Sequence, residues 1–374
     1  MPEHQDALEQ LNKRLSLTEK LIAAHKSLNQ IHPAIARIAV TLYDPETTVL
    51  KTYLNSSVDD NPLDHYQTLI DDAPSLKKLL DEGRPRVINN MLTFDDGNEH
   101  TKRIGRKGYA ASYTLPMFSE GVFFGFIFFN ATEQDVFTEH VLSQVDVYGH
   151  MISLMIINEF SAIKTLTAAI KTTGHITHCR DPETGSHLDR MSRYSLIIAN
   201  AIADKYNLDD EYIEHVFMFS PLHDIGKIAI PDNVLLNPNK LKKSEMELMK
   251  THSRKGREMI DDLIKNFGLQ TIEHVNVLRN IAEYHHEAVN GTGYPDGKVR
   301  ADIPLEARIV AVADVFDALT SCRSYKEAWS NEMAITKLKE LAGEKLDKDC
   351  VEALLENMDE VVKIQKQFSE NLYG

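Results

Sequence analysis

His223 and Asp224 stand side by side in Leu222-His223-Asp224-Ile225-Gly226-Lys227. An adjacent imidazole and carboxylate can hold one divalent cation together or bridge two. Three residues after Asp224, Lys227 puts a cation where a phosphate could sit. A His-Asp pair often arises by chance, so its meaning depends on further ligands elsewhere in the chain. Glu183 and His187 are four apart, share one helix face and can point at one site. The Ser244/Glu247 spacing predicts a helix start that brings up His252. A helix predicted over 271–284 carries Ile272, Val275, Leu278 and Ile281 on one face and ends in His285-His286-Glu287. Successive helical residues diverge by about 100°, so His285 and His286 are expected to serve different metals. A further helix over 307–319 carries Asp314 and Asp317, three apart, with Arg323, Tyr325 and Lys326 after it.

The whole chain narrows what this chemistry can be. Its 374 residues allow two domains, and 43% hydrophobic with 26% charged residues reads as soluble and globular. A net charge of −15 excludes a broad basic surface for DNA, so a phosphate ligand needs a local cationic or metal-lined pocket. Cys179, Cys322 and Cys350 are too far apart for a CxxC site, and their odd number argues against a disulfide framework. The polar, acidic start is no signal peptide, and no apolar run reaches membrane-spanning length. A cytoplasmic protein without a membrane span is the expectation.

The elements that must position these residues fall into three stretches. Residues 8–31 have helical spacing, with Leu8, Leu11, Leu15 and Ile22 apolar, and Pro33 ends the run. Residues 37–43 alternate, with Ile38, Val40 and Leu42 on one face. Asp44-Pro45-Glu46 turns the chain into a second strand over 47–54. A helix is predicted over 69–82, stopped by Gly83, and then a short strand over 86–89. Strands over 109–118 and 122–129 flank the turn Ser119-Glu120-Gly121. This is an α+β pattern. From Thr138 one long helix is predicted, with Val141, Val145, Tyr148, Ile152, Met155, Glu159, Ala162, Leu166 and Ala169 at alternating spacings of four and three. That spacing matches a heptad seam with Glu159 discordant, and it is read as a parallel coiled coil joining two subunits. The helix breaks at Arg180-Asp181-Pro182, where Asp181 caps the next one. Residues 331–374 are predicted as two closing amphipathic helices. The expected division is 1–137, 138–175 as a connecting coiled-coil helix, and 176–374, all-α.

The first domain resembles a GAF domain, in Asp81-Glu82-Gly83-Arg84-Pro85-Arg86-Val87-Ile88 and in the final strand pair running into a long helix. That resemblance implies a sensor or dimerisation module with an unidentified small ligand behind its sheet. His65 and His100 read as surface residues. In the second half, His223-Asp224-Ile225-Gly226-Lys227, His285-His286-Glu287 and Gly293-Tyr294-Pro295 resemble the signature of the HD-GYP family, a branch of the HD superfamily of metal-dependent phosphohydrolases. The likeness covers about half the chain. It implies a helical domain hydrolysing cyclic di-GMP to pGpG or GMP with two or three divalent metals, iron or manganese, by a metal-bridging hydroxide. The implied ligands are Glu183, His187, His223, Asp224, His252, His285, His286 and Asp314. Asp224 is expected to bridge, and Glu183 to decide between two metals and three. Lys227, Tyr294, Arg323 and Lys326 are the implied substrate contacts, and Asp224 and Lys227 the catalytic pair.

Some positions depart from the family pattern. Asn290 stands where Asp is usual, Ala288-Val289 replace a bulkier pair, and Lys298-Val299 follow Gly297 where Leu is usual. None is a ligand position. They bear on loop contacts, on a signalling-protein partner at the Gly-Tyr-Pro loop and on nucleobase preference. Asp317 reads either as a partner of a ligand or as an ordinary ion-pair group. His175, His178 and Cys179 read as exposed linker residues, and His274 as structural. Two other functions fit the same motifs. One is hydrolysis of another cyclic dinucleotide such as 3',3'-cyclic GMP-AMP. The other is a non-catalytic receptor or docking module.

Overall fold

The computed structural model describes residues 6–58, 63, 65–91, 93, 99–177, 185–266, 274–321 and 328–369. Contacts divide the chain into two units, Met1–Ser161 and Ala162–Gly374.

The first unit is built on a six-stranded sheet: β1 (Ile35–Asp44), β2 (Val49–Ser57), β3 (Gln67–Leu69), β4 (Arg86–Ile88), β5 (Ala111–Ser119) and β6 (Val122–Ala131). The order is β3-β2-β1-β6-β5-β4, with every neighbouring pair antiparallel. Its helices are α1 (Leu17–Ile31), α2 (Pro74–Glu82), α3 (Glu99–Arg106) and the start of α4 (Glu139–Thr177). The α+β expectation holds for this unit. One sheet face is covered by Leu21, Leu28, Val145 and Ile152 from α1 and α4, against Ile38, Val40, Leu42 and Phe129. Leu76 and Leu79 of α2 pack on Leu50 and Phe126.

Three sequence expectations shift. The helix over 8–31 is split into a short 3-10 turn, Glu9–Asn12, and α1, because Ser16 accepts from the Glu19 amide and Glu19 from the Ser16 amide. The helix over 69–82 starts only at Pro74, after β3, since proline suits the first turn. The heptad seam is spent inside the unit: Val141, Val145, Tyr148, Ile152 and Met155 all pack on the sheet's core. The exposed apolar line of α4 is instead Val147 and Leu154, 66% and 65% accessible and seven residues apart. His65 is half-buried, and the side chain of His100 lies outside the described residues.

The second unit is helical: α5 (Gly185–Ala201), α6 (Ala203–Tyr206), α7 (Asp210–Phe219), α8 (Asp232–Leu235), α9 (Lys243–Lys250), α10 (His252–Asn266), α11 (Val275–Tyr284), α12 (Leu305–Thr320), α13 (Asn331–Leu341), α14 (Lys348–Glu356) and α15 (Met358–Gln367). Asp209 caps α7 through the Tyr212 amide. The expected Ser244/Glu247 cap moves two residues back, where Glu245 accepts from the Lys242 amide at 2.7 Å. The predicted pair of closing helices is three, because the chain breaks at Asn357 between α14 and α15. Among the described residues, no helix is long and apolar enough to cross a membrane.

His274 is structural, as expected. Its ring lies 4.7 Å from that of His215, which is buried on α7 and hydrogen-bonded to the Glu211 carbonyl at 2.7 Å. Burial, with His274 as a second cause, pushes the His215 imidazole down to about 3 from 6.5. Below pH 6.5 the unfolded chain takes up this proton and the folded one does not, so stability falls as pH drops from 6.5 toward 3. At pH 5 that loss is about 2 kcal/mol. Denaturant melts at pH 7 and pH 5 should show the wild type losing about this much more stability than His215→Phe over the interval.

Candidate metal centre

Asp224 follows a short 3-10 turn, Ser220–Leu222, and opens another, Ile225–Ala229. This tight segment packs on α10 at a glycine. A Cβ on Gly226 would meet the His252 carbonyl oxygen at 1.9 Å. The contact brings Asp224 up to the first residue of α10, His252.

Asp224 then sits inside a ring of imidazoles. Its Oδ1 is 3.1 Å from His252 Nε2 and 3.5 Å from His285 Nε2. Its Oδ2 is 3.3 Å from His223 Nε2 and 2.8 Å from Lys227 Nζ. The opposite ring nitrogens are all committed. His223 Nδ1 donates to the Ser220 carbonyl at 2.9 Å, His252 to Met249 at 2.8 Å, and His285 to Ile281 at 2.9 Å. A carbonyl only accepts, so each Nδ1 carries a hydrogen and each Nε2 is aimed at the carboxylate. In the neutral ring that Nε2 offers a lone pair, and a cation placed between it and the carboxylate would be held by both. Nε2 of His252 and His285 and Oδ1 of Asp224 are buried without a hydrogen-bond partner among the described residues. That donor set fits a divalent metal.

Two groups of possible ligands result: Asp224, His252, His285 and His286, and separately His187, His223 and Asp314. Within each group the ligand atoms lie within 4.8 Å of one another. Asp224 joins the groups, since its Oδ2 faces His223 of the second. Burial raises the Asp224 carboxyl, but Lys227 and His223 outweigh it and hold the carboxyl well below the usual range. Burial lowers the His285 and His286 imidazoles, which keeps them neutral and ready to bind a cation.

His285 and His286, expected to serve different metals, both fall in the first group of ligand atoms. Helix α11 ends at Tyr284, with His285 as its C-cap. Their ring centroids are 4.0 Å apart. Tyr294 stacks on His286 at 4.7 Å, so the Gly-Tyr-Pro loop lies against this group. Burial, with Asp224 and Asp314, pushes its phenol up and keeps it protonated. Glu183, Arg323 and Lys326 lie outside the described residues, as do His178, Cys179 and the side chain of His175.

Sequence reading missed two supports and left a third undecided. The Glu287 carboxylate accepts from the amides of Asp296 and Lys298 at 2.7 and 3.0 Å, closing the loop onto the histidine pair. Gly293 is required there, because a Cβ would meet the Ala288 nitrogen at 2.2 Å. Asn290 keeps the turn with its amide oxygen, which accepts from the Thr292 amide at 3.1 Å. Asp317 is now placed: it accepts from His187 Nδ1 at 2.7 Å and from Arg190 Nε at 2.6 Å, fully buried. Hydrogen bonds from His187 and Arg190 overcome its burial and bring its carboxyl down to about 2. Arg190, invisible as a site residue in the sequence, holds Asp317 and the Phe368 carbonyl at once.

Residues 182–350 match the family model described as HD domain. Over 190 residues the chain is 46% identical to the cyclic di-GMP phosphodiesterase response regulator RpfG of Xanthomonas campestris pv. campestris, covering 51% of this chain and 47% of that protein. Over 254 residues it is 32% identical to 3'3'-cGAMP-specific phosphodiesterase 2 of Vibrio cholerae, covering 64% and 47%. The chain spans about half the length of these curated relatives. The crystal structure of the GAF domain/HD domain protein from Geobacter sulfurreducens aligns at 14% identity with a TM-score of 0.32, over 38% of this chain and 93% of that one.

Metal analysis of the purified HD domain protein checks the ligand groups. Asp224→Ala should lower bound metal at both groups, whereas His286→Ala should deplete only one. Asp317→Ala removes a partner of His187, not a ligand, and should weaken metal affinity by about 10–100-fold without abolishing it.

Proposed function

We propose that this chain hydrolyses cyclic di-GMP to the linear dinucleotide pGpG, and onward to GMP, at the Asp224 centre. The observation that carries the reading is the single carboxylate shared by two imidazole-rich ligand groups with a lysine ammonium beside it. The relatives whose names include cyclic di-GMP phosphodiesterase support the substrate. Glu183, His187, His223, Asp224, His252, His285, His286 and Asp314 would hold two or three divalent ions, iron or manganese by the oxygen and imidazole donors. When bound, such ions supply Lewis-acid activation of water and neutralise charge on the phosphoryl group.

The chain's own groups do the rest. Lys227 lies at the edge of Asp224, where its ammonium can pair with a phosphoryl oxygen and stabilise the charge that develops as the bond to the leaving oxygen breaks. The protonated Tyr294 hydroxyl can donate a hydrogen bond to the substrate, and its ring holds His286 in place. Arg323 and Lys326 are the proposed contacts to substrate phosphate. Asp317 keeps His187 in the tautomer that offers Nε2 to the centre.

The first unit would regulate this activity through a small ligand. A homodimer through α4 would use the exposed line of Val147 and Leu154. A signalling partner at the Gly-Tyr-Pro loop would meet its exposed residues Thr292, Asp296 and Val299. The site of action would be the cytoplasm.

Manganese- or iron-loaded protein incubated with cyclic di-GMP should yield pGpG or GMP on chromatography. His223→Ala with Asp224→Ala should cut turnover by about 10³-fold or more. Binding without turnover would instead mark a receptor, and faster turnover of 3',3'-cyclic GMP-AMP would reassign the substrate. Sedimentation of Val147→Glu/Leu154→Glu should show monomers; a dimer that persists would place the interface elsewhere.

A further inference from the structure

The two faces of the first unit's sheet differ in a way that folding alone does not require. One face packs aliphatic and aromatic side chains under α1 and α4. The other, covered by the α2 and α3 side of the unit, carries polar side chains on its central strands. Arg37, Thr41, Thr52, Ser112 and Asn130 all line a cavity of about 50 Å³ there. Burying polar groups under a second layer costs stability unless something satisfies them.

Some of these groups satisfy each other. Arg37, 2% accessible, donates Nη1 to Asn130 Oδ1 at 2.8 Å, and Asn130 Nδ2 donates to Ser112 Oγ at 3.1 Å. This network fixes the Arg37 guanidinium against the cavity wall. Thr41 and Thr52, paired across β1 and β2, are different. Their hydroxyl oxygens are buried and reach no hydrogen-bond partner among the described residues. A second guanidinium, Arg86 of β4, also lines the cavity. No carboxylate does so among the described residues; Tyr66 and Thr68 add two more hydroxyl-bearing side chains, and Met91, Ile104 and Phe128 form an apolar part of the wall.

We infer that this cavity binds a small carboxylate with a short apolar body, its oxygens held by Arg37 and Arg86 and by the hydroxyls of Thr41 and Thr52. A guanidinium matches a carboxylate edge with two parallel hydrogen bonds, and a hydroxyl donates a third. The apolar wall takes the carbon chain. Size narrows the class further. A water-sized group needs roughly 10–15 Å³ on this measure, so the cavity holds about four such groups and is too small for a nucleotide. The site lies wholly in the first unit, and the inference does not depend on the chemistry proposed for the HD domain.

Calorimetric titration of the full chain at constant ionic strength tests it, with acetate, propionate, butyrate and succinate as probes. Propionamide and inorganic phosphate are the comparators, and cyclic GMP is the nucleotide control. At least one carboxylate should bind at one site per chain and raise the melting temperature, with the matched amide at least tenfold weaker. Arg86→Met should weaken that binding tenfold or more, and Thr52→Val, which preserves shape, severalfold. The His223→Ala/Asp224→Ala variant should bind as the wild type does, which separates this site from the metal centre. The inference is overturned if none of the four carboxylates binds, if propionamide binds as well as propionate, if phosphate or cyclic GMP binds in preference, or if binding survives Arg86→Met and is lost in the His223→Ala/Asp224→Ala variant.

Discussion

The helical unit depends on one electrostatic constraint: Asp224 is an anion surrounded by imidazole lone pairs. Three backbone carbonyls lock the hydrogens of His223, His252 and His285 on the far side of their rings. Lys227 alone cannot answer every lone pair, since it sits against one carboxylate oxygen. The arrangement gathers carboxylate and imidazole donors that a cation can satisfy together. The surrounding packing serves this end. Gly226 permits the approach of two backbone segments, Glu287 closes the tyrosine loop, and Asp317 of α12, itself held by Arg190, anchors His187.

Much of this centre was legible in residue types and order. His-Asp, His-His and the downstream Asp announce ligands because few other residues bind metal. What the sequence hid was geometry beyond the regular helix. Helical rotation separates His285 from His286, but the helix stops one residue earlier and the ring centroids lie 4.0 Å apart. Glu287 gave no signal because its partners are backbone amides nine and eleven residues on. Arg190 belongs to no motif in the sequence and is buried. Capping explains the shifted helix starts: Ser16 and Pro74 override an apolar periodicity that continues past them.

The first unit shows the same balance. Alternation in β1 placed Ile38, Val40 and Leu42 on one face, and they are in the core there. The alternation says nothing of what covers the opposite face, where Arg37 and Thr41 lie. They are covered by a second layer and line a cavity. The long helix carried a heptad pattern that fits two partners equally well, and its own sheet takes most of it. A periodic apolar stripe states that a face is buried and does not state against what.

The central claim is that Asp224 is shared between two metal-holding groups. Anomalous diffraction from crystals of manganese-loaded protein measures this directly. The account predicts one peak on the His252–His285–His286 side of Asp224 and another on the His187–His223–Asp314 side, each in contact with one carboxylate oxygen. A single peak, or peaks that do not touch Asp224, would contradict it.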